Sequence, residues 1–331
     1  MLRPGLRWLA CSLVTILCAV VLSPPAARGQ GGETVGVITE LKVGRGRVEV
    51  KPAAGGDWRA ATPLLALRAG DTVRATEDAS AMILLTGGRG SVRVDQGRAS
   101  FVVPALAAGE GKLHKARALV EGSLGFLTGG SKEPLQAALV TRGAVKPPVI
   151  LTPRNGPVLE GPLVFEWAGT SFQRATVRIA GPEGVILERR GLAGARFEYP
   201  PTAPPLARGV RYTFQLLVGA HPSQEAWFEL LEPARAAAVR ADLKTLEAEV
   251  ATLSPNSAAV VRAGFLARAG LFHDARATLT RALVRDPDEP TLHLLLGNVY
   301  TAVGLSELAA HSYDEAQFLL KQGAGQPVPT R

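Results

Sequence analysis

A spacing of 34 residues relates two segments near the C-terminal end, and this repeat constrains the fold more than any other feature. Five positions match across it: Leu266, Gly270, Ala275, Leu279 and Ala282 recur as Tyr300, Gly304, Ala309, Tyr313 and Ala316. A period of this length is typical of stacked helix-turn-helix units, in which small residues stand where helices cross and larger ones fill the gaps. Such units usually bind other proteins, so the sequence predicts a binding module here.

The first 29 residues have the pattern of a secretory signal. Arg3 and Arg7 precede an uncharged run over residues 8–22, and a small-residue site ending at Gly29 follows. We therefore predict that segment 1–29 is a signal peptide cleaved near Gly29, which places the mature protein in the periplasm or outside the cell. Retention as an anchor is the alternative, and only then do we expect contact with a membrane.

Composition and charge indicate a globular chain of two or three domains. The sequence is 47% hydrophobic and 20% charged, with a formal charge of +8. Both cysteines, Cys11 and Cys18, lie in the predicted signal, so the remainder can form no disulfide and must depend on packed cores. The basic excess falls in the first β-rich region, without the interleaved aromatic residues that single-stranded nucleic acid requires. We expect no nucleic-acid partner, and we interpret the basic region as a solvated surface or a contact for an anionic envelope polymer.

Residues 30–105 alternate short apolar runs with glycine turns. Strands are predicted at 35–43, 47–51, 81–85, 91–94 and 99–103. Gly87-Gly88-Arg89-Gly90 separates two of them and supplies the positive φ of a hairpin turn. The sequence therefore predicts a small, mostly antiparallel β-domain.

The order of motifs in this region carries a family resemblance. A strand at 46–50 is followed by Trp58, by the turn Gly70-Asp71 before Thr72, and by strands near 79–85 and 90–94. This order resembles the FecR domain, which implies an extracytoplasmic, β-solenoid-like domain found in iron-transport regulators and in multidomain envelope proteins. The regulators carry a cytoplasmic segment before their membrane helix, whereas seven residues precede the apolar run here. A sensor-regulator is therefore the less favoured interpretation.

Residues 106–148 are predicted to form a helical connector and a linker. Apolar residues recur at three- and four-residue steps, at Leu113, Ala116, Val120, Leu124 and Leu127. Lys146-Pro147-Pro148 ends the segment as extended chain.

Residues 149–231 return to seven short strands divided by proline and glycine, which predicts a sandwich of two sheets. Leu206, Gly209 and Tyr212 resemble the tyrosine corner of fibronectin type III domains, with Trp167 as a core aromatic. The resemblance implies an immunoglobulin-like sandwich that serves as a spacer or a binding surface.

Residues 232–322 are predicted to be helical, at 233–253, 257–269, 273–285, 290–303 and 306–321, and residues 323–331 to be a disordered tail. The segment Asp286–Pro290 places acids at a helix N-terminus and proline in its first turn. The matched positions, with Leu296-Gly297 and Pro287, resemble the tetratricopeptide repeat, although both copies lack its early tryptophan. Because two copies are fewer than such arrays normally need, we expect the helix from Pro233 to act as a cap or third partial unit.

The resemblance implies that the first helix of each pair lines a concave groove for a partner. The candidate groove residues are Ser257, Val260, Gly264, Ala267, Thr291, Leu294, Asn298 and Thr301. An amide in such a groove binds the backbone of an extended peptide, but a solvated surface amide is equally consistent with Asn298. The groove has no cluster of Lys or Arg, which favours an apolar or backbone-mediated partner.

The sequence offers no catalytic constellation, so no catalytic, cofactor-binding or metal-binding residues are predicted. The five histidines are scattered without an acid or cysteine at metal-ligand spacing. Asp71 is a lone acid in a turn, where hydrogen bonding to the backbone is the ordinary role. We expect an exported, non-enzymatic adaptor of the bacterial cell envelope that binds a protein through its helical end. A cell-wall or polysaccharide binder that uses Trp58 or Trp227 is the alternative, and a hydrolase comes third.

Overall fold

The computed structural model describes residues 33–105, 115–129, 148–159, 161–169 and 173–322. The predicted signal 1–29, the predicted tail 323–331 and most of the predicted connector lie outside these ranges. The described part combines β-sheets with helices, as the sequence predicts for a multidomain β plus α chain. None of its helices is both long enough and apolar enough to span a membrane.

The first β-region forms two four-stranded sheets around one core. Its strands are β1 (Gly36–Lys42), β2 (Val48–Lys51), β3 (Arg59–Ala60), β4 (Ala66–Leu67), β5 (Thr72–Ala75), β6 (Ser80–Leu85), β7 (Ser91–Val94) and β8 (Ser100–Val102). The orders are β4-β1-β6-β7 and β3-β2-β5-β8, and Ile38, Ile83 and Val73 are fully buried between the sheets. Every pairing here is antiparallel. The predicted antiparallel pairing is confirmed, and this pairing differs from the parallel coil of a β-solenoid.

Strand β1 has a bulge and a partly open edge. Its pairing with β6 shifts register between Ile38 and Glu40, so Thr39 lies outside the register. On its other side only Gly36 and Val37 pair with β4. A bulge re-aims side chains and twists an edge, and the second half of β1 is thereby directed toward another part of the molecule.

The second β-region consists of two sheets, of five and three strands, that share one core, with eight strands where the sequence predicts seven. Its strands are β9 (Val149–Thr152), β10 (Gly156–Val158), β11 (Val164–Ala168), β12 (Ala175–Gly181), β13 (Gly184–Leu192), β14 (Arg196–Glu198), β15 (Arg211–Val218) and β16 (Gln224–Leu230), in the orders β10-β16-β15-β12-β13 and β14-β11-β9. The Phe165 ring meets Phe214 and Phe228 edge-on, at centroid distances of 4.8 and 5.4 Å, and so joins the two sheets. The Tyr212 hydroxyl accepts from Ala207 N at 2.7 Å, the backbone contact that a tyrosine corner makes.

Six helices complete the described part: α1 (Lys115–Gly129), α2 (Pro233–Val250), α3 (Pro255–Arg268), α4 (Phe272–Arg285), α5 (Pro290–Ala302) and α6 (Ser306–Gln322). The pairs α3–α4 and α5–α6 follow the 34-residue repeat. Gly270 and Gly304 both have φ of +78° between the helices of a pair. Ala275 and Ala309 are both buried at the start of the second helix. The five predicted helices therefore agree with the structure to within a few residues at each end.

Helix α1 belongs to the helical core, although the sequence predicts it as a connector. It packs against α2 and α3, and Leu119, Leu124 and Leu127 share one buried cluster with the helical pairs. A Cβ atom at Gly264 of α3 would lie 2.8 Å from Leu127 Cδ1 and 3.1 Å from Ser123 O. Glycine is therefore needed for α1 to approach α3 this closely.

Candidate partner groove

The eight predicted groove residues lie on α3 and α5, but most are covered by the chain itself. Buried residues are Ser257, Val260, Gly264, Ala267 and Thr291; Leu294 and Asn298 are half-buried, and Thr301 is exposed. Helix α1 covers the middle of α3 at Gly264. Of the eight positions, only Leu294, Asn298 and Thr301 of α5 remain partly or fully accessible.

Strand β1 covers the N-terminal end of α3. The displaced Thr39 places its Oγ1 2.8 Å from Ser257 Oγ. Glu40 Oε1 accepts from Ser257 N at 3.0 Å, from Ser257 Oγ at 2.7 Å and from Ser254 Oγ. Ser254 is the N-cap of α3. The Glu40 carboxylate thus lies where free N–H groups and the helix dipole favour negative charge.

Glu289 links β1 to the start of α5. It is the N-cap residue of α5, and its Oε1 accepts from Thr291 N at 3.2 Å and from Leu41 N at 3.0 Å. One oxygen therefore caps the helix and also satisfies an N–H on the open edge of β1. Its Oε2 is buried without a hydrogen-bond partner. Burial raises the pKa of Glu289 to about 7, with a smaller contribution from the negative charge of Glu40.

An ion pair lies at the rim of this contact. Lys42 Nζ lies 2.8 Å from Asp286 Oδ2, and Asn256 Nδ2 donates to the same oxygen at 2.7 Å. Burial opposes ionisation of Asp286, but the Lys42 ammonium and the Asn256 amide outweigh it and hold the Asp286 pKa below its usual value. Because Lys42 is largely solvated, the pair contributes little stability and mainly fixes orientation.

The accessible end of the groove is organised around Tyr313. Its hydroxyl donates to Asn298 Oδ1 at 2.9 Å and lies 3.0 Å from Thr301 Oγ1. A Cβ atom at Gly297 would fall 2.3 Å from Tyr313 Cε1, so the ring lies directly on α5. The bond to Tyr313 orients the Asn298 amide without using its Nδ2 atom as a donor.

A second contact, which sequence reasoning missed, joins the sandwich to α4. Thr152 Oγ1 lies 2.5 Å from His273 Nδ1, and Leu159 N donates to Asp274 Oδ2 at 3.2 Å. Burial, with a smaller contribution from the charge of Arg276, lowers the pKa of His273 to about 4. Burial also raises the pKa of Asp274 to about 6. His273 is thus a packing residue of this contact.

An ion pair strengthens the same contact. Arg276 Nη1 lies 2.6 Å from Glu166 Oε2, and the Arg276 side chain is only 13% exposed. Arg154 of the sandwich also donates from Nε to Val303 O at 3.0 Å, after the end of α5. The helical pairs therefore contact both β-regions through polar groups and also through apolar side chains, among them Val37, Leu84 and Leu159. Single residues such as Arg276 gave no signal of this in the sequence, because their partners are distant along the chain.

The two tryptophans that the polysaccharide interpretation uses are each stacked by an arginine. Arg74 Cζ lies 3.9 Å from the ring centroid of Trp58, and Arg211 Cζ lies 4.2 Å from that of Trp227. One face of each ring is therefore already occupied within the chain. The turn acid Asp71 accepts from the backbone N–H groups of neighbouring loops, at 2.8 and 2.9 Å, as expected for a structural role.

Across the described ranges, no group of three or more His, Cys, Asp and Glu side chains is placed to hold a metal ion. The chain matches no protein-family model and no curated protein. The FecR and tetratricopeptide resemblances thus stay predictions.

Proposed function

We propose that this chain is an exported, non-enzymatic adaptor of the bacterial cell envelope. In this proposal a tetratricopeptide-like helical end holds a FecR-like β-domain and an immunoglobulin-like sandwich in a fixed arrangement. The open end of its groove then binds a protein partner. The observation that carries the proposal is that the helical pairs contact both β-regions through buried hydrogen bonds and ion pairs.

The nature of these contacts supports a scaffold. Leu41 N, Glu289 and Thr291 on one side, and Arg276 and Glu166 on the other, are polar groups that tolerate burial only when their partners are correctly placed. Such contacts specify a single arrangement more strictly than apolar packing alone. An adaptor needs this property because it must present separate surfaces at a fixed separation.

The open end of the groove supports a protein partner of extended form. Leu294 supplies an apolar contact, while Asn298 and Thr301 supply polar groups next to Tyr313. Amide groups in a groove recognise the backbone of an extended peptide. If the basic β-domain binds an anionic envelope polymer at the same time, the helical end is held close to envelope proteins. The effective concentration of the protein partner at the groove is then higher. The predicted signal 1–29 supports export.

Site-specific photo-crosslinking in intact cells tests the partner site. A photoreactive residue at Thr301 is expected to give one defined protein adduct, and Asn298→Ala in the same chain is expected to weaken it. The matched control carries the photoreactive residue at Val284 of α4, which is 85% exposed but outside the groove. Absence of an adduct at Thr301, or identical adducts at both positions, would remove this site as the docking surface.

Cell-wall polymer binding is the less supported alternative, because Arg74 and Arg211 already stack on the two tryptophans. Co-sedimentation with purified cell wall that is lost in Trp58→Ala, together with no protein adduct at Thr301, would favour it instead.

A further inference from the structure

Two carboxyl groups from different parts of the fold meet where β1 covers the groove. The bulge at Thr39 lets consecutive residues of β1 contact different helices. Glu40 binds the start of α3, while Leu41 N donates to Glu289 at the start of α5. Both acids lie in the same contact, and Glu289 is fully buried there.

The two acids have unequal surroundings. Glu40 Oε1 accepts three hydrogen bonds, from Ser254 Oγ, Ser257 N and Ser257 Oγ. Glu289 has two backbone donors on Oε1 and none on its buried Oε2. The start of α5 favours a negative charge on Glu289, but burial opposes it more strongly, as the raised pKa indicates.

The other charged groups around Glu289 do not offset this burial. From β1 it faces Glu40, while Lys42 is paired with Asp286 at the end of α4. From α3, Ser254 and Ser257 bind Glu40, and Asn256 binds Asp286. The Thr291 hydroxyl on α5 itself lowers the pKa of Glu289, but by less than burial raises it. On its own segment, Asp288 is exposed and His293 Nε2 lies 2.7 Å from Pro287 O.

We propose that the contact of β1 with α3 and α5 is a pH-sensitive latch. Protonation of Glu289 keeps β1 over the N-terminal end of the groove, and ionisation of Glu289 beside Glu40 loosens it. Loosening uncovers Ser257 and Thr291, which are fully buried when the latch is closed. Because Thr291 continues the line of Leu294, Asn298 and Thr301 along α5, the accessible part of α5 becomes longer. The closed latch is thus an autoinhibitory contact.

The sign of the effect follows from the direction of the pKa shift. A carboxyl whose pKa rises from 4.5 to about 7 in the closed state stabilises that state below pH 4.5 and loses this contribution as the pH rises through 7. Applied to one site, proton linkage gives an increase in the open-to-closed ratio of at most about 70-fold between pH 5 and pH 8. Most of this change falls between pH 5 and pH 7.

Hydrogen exchange on the full chain between pH 5 and pH 8, with rates corrected for intrinsic chemical exchange, tests the latch without any partner. The opening equilibrium constant, calculated from the exchange of peptides 36–42 and 254–260, is expected to rise tens-fold between pH 5 and pH 8. A peptide covering β15 serves as the internal reference and is expected to show no such rise. Glu289→Gln keeps the Oε1 acceptor without the charge and is expected to abolish this pH dependence. Asp314→Asn, an exposed acid on α6, is the matched control and is expected to behave as the unmodified chain.

Equal opening at pH 5 and pH 8 in the unmodified chain would overturn the proposal, and so would an unchanged pH dependence in Glu289→Gln. Glu40→Gln decides the matter if Glu289→Gln does not fold. Removing the neighbouring charge lowers the pKa of Glu289 in the closed state, so the increase in opening between pH 5 and pH 8 must become smaller. An unchanged increase would contradict the latch. Either failure leaves the adaptor proposal intact, because the crosslink at Thr301 uses the part of the groove that β1 does not cover.

Discussion

Replacing Gly264 by alanine gives the sharpest test of the way the chain covers its own groove. Alanine is the better helix former, so on a free helix this change stabilises by about 0.5–1 kcal/mol. With α1 docked, the new methyl group would lie 2.8 Å from Leu127 Cδ1 and 3.1 Å from the backbone oxygen of Ser123. The Leu127 side chain can move, but the oxygen moves only with α1 itself.

The gain in helix propensity and the cost of the close contact act in opposite directions, so their magnitudes decide whether the variant is more or less stable. Overpacking of a close contact costs about 1–3 kcal/mol. After the gain in helix propensity, Gly264→Ala is expected to lower the free energy of unfolding by about 1 kcal/mol, and by about 2.5 kcal/mol at most. Gly125→Ala on α1 is the matched control, because nothing lies within 4 Å of a Cβ atom there. That change is expected to stabilise by about 0.5–1 kcal/mol.

Thermal and urea unfolding of the two variants and the unmodified chain measure these shifts, which have opposite signs. Leu127→Ala supplies a second check, since shortening the side chain relieves the overlap. The double variant Gly264→Ala/Leu127→Ala is then expected to lose less free energy of unfolding than the two single variants lose together. The expected difference is about 1 kcal/mol. If Gly264→Ala raises stability as Gly125→Ala does, α1 is not docked on α3, and the groove is open along the first helix.

The contact between the sandwich and α4 gives two further predictions. Glu166→Gln leaves the buried guanidinium of Arg276 without its counter-charge, and it is expected to destabilise by about 3 kcal/mol in urea unfolding, against less than about 1 kcal/mol for Glu247→Gln in an exposed ion pair. Equal effects of the two changes would show that the contact is solvated. In Asp274→Asn, protonation of Asp274 no longer offsets the charging of His273. The free energy of unfolding of this variant is therefore expected to fall by at most about 3 kcal/mol as the pH falls from 6.5 to 4. A flat profile over that interval would contradict the burial of His273.

The sequence predicted the elements that depend on local signals. Gly270 and Gly304 mark the turns inside the two helical pairs, and they adopt the same positive φ because the repeat places them equivalently. The acid before Pro290 was interpreted as a helix start, and Glu289 does cap α5. Four strands were not predicted: β3, β4, β5 and β10. Strands β3, β4 and β10 have only two or three residues, too few to show a period, whereas β5 alternates buried and half-buried residues and was missed.

The sequence could not predict that α1 and β1 cover the groove, because both elements are distant along the chain from the helices that they cover. The apolar positions of α1 predict a helix with one buried face, but they do not say which surface that face meets. Likewise, Ser257 and Thr291 are small polar residues on first turns, which is equally typical of a binding groove and of a close internal contact. The bulge at Thr39 decides between the two, and it depends on the pairing of β1 with β6.

The two contacts that hold the helical end differ in how they respond to pH. At the sandwich, His273 loses stabilisation as the pH falls from 6.5 to about 4, while Asp274, whose pKa is raised from 3.8 to about 6, regains it over nearly the same interval. The two contributions have opposite signs and similar size, so they largely cancel. Glu289 has no such counterpart, because its neighbour Glu40 acts in the same direction. A change of pH therefore acts mainly on the contact with β1 and leaves the sandwich in place on α4.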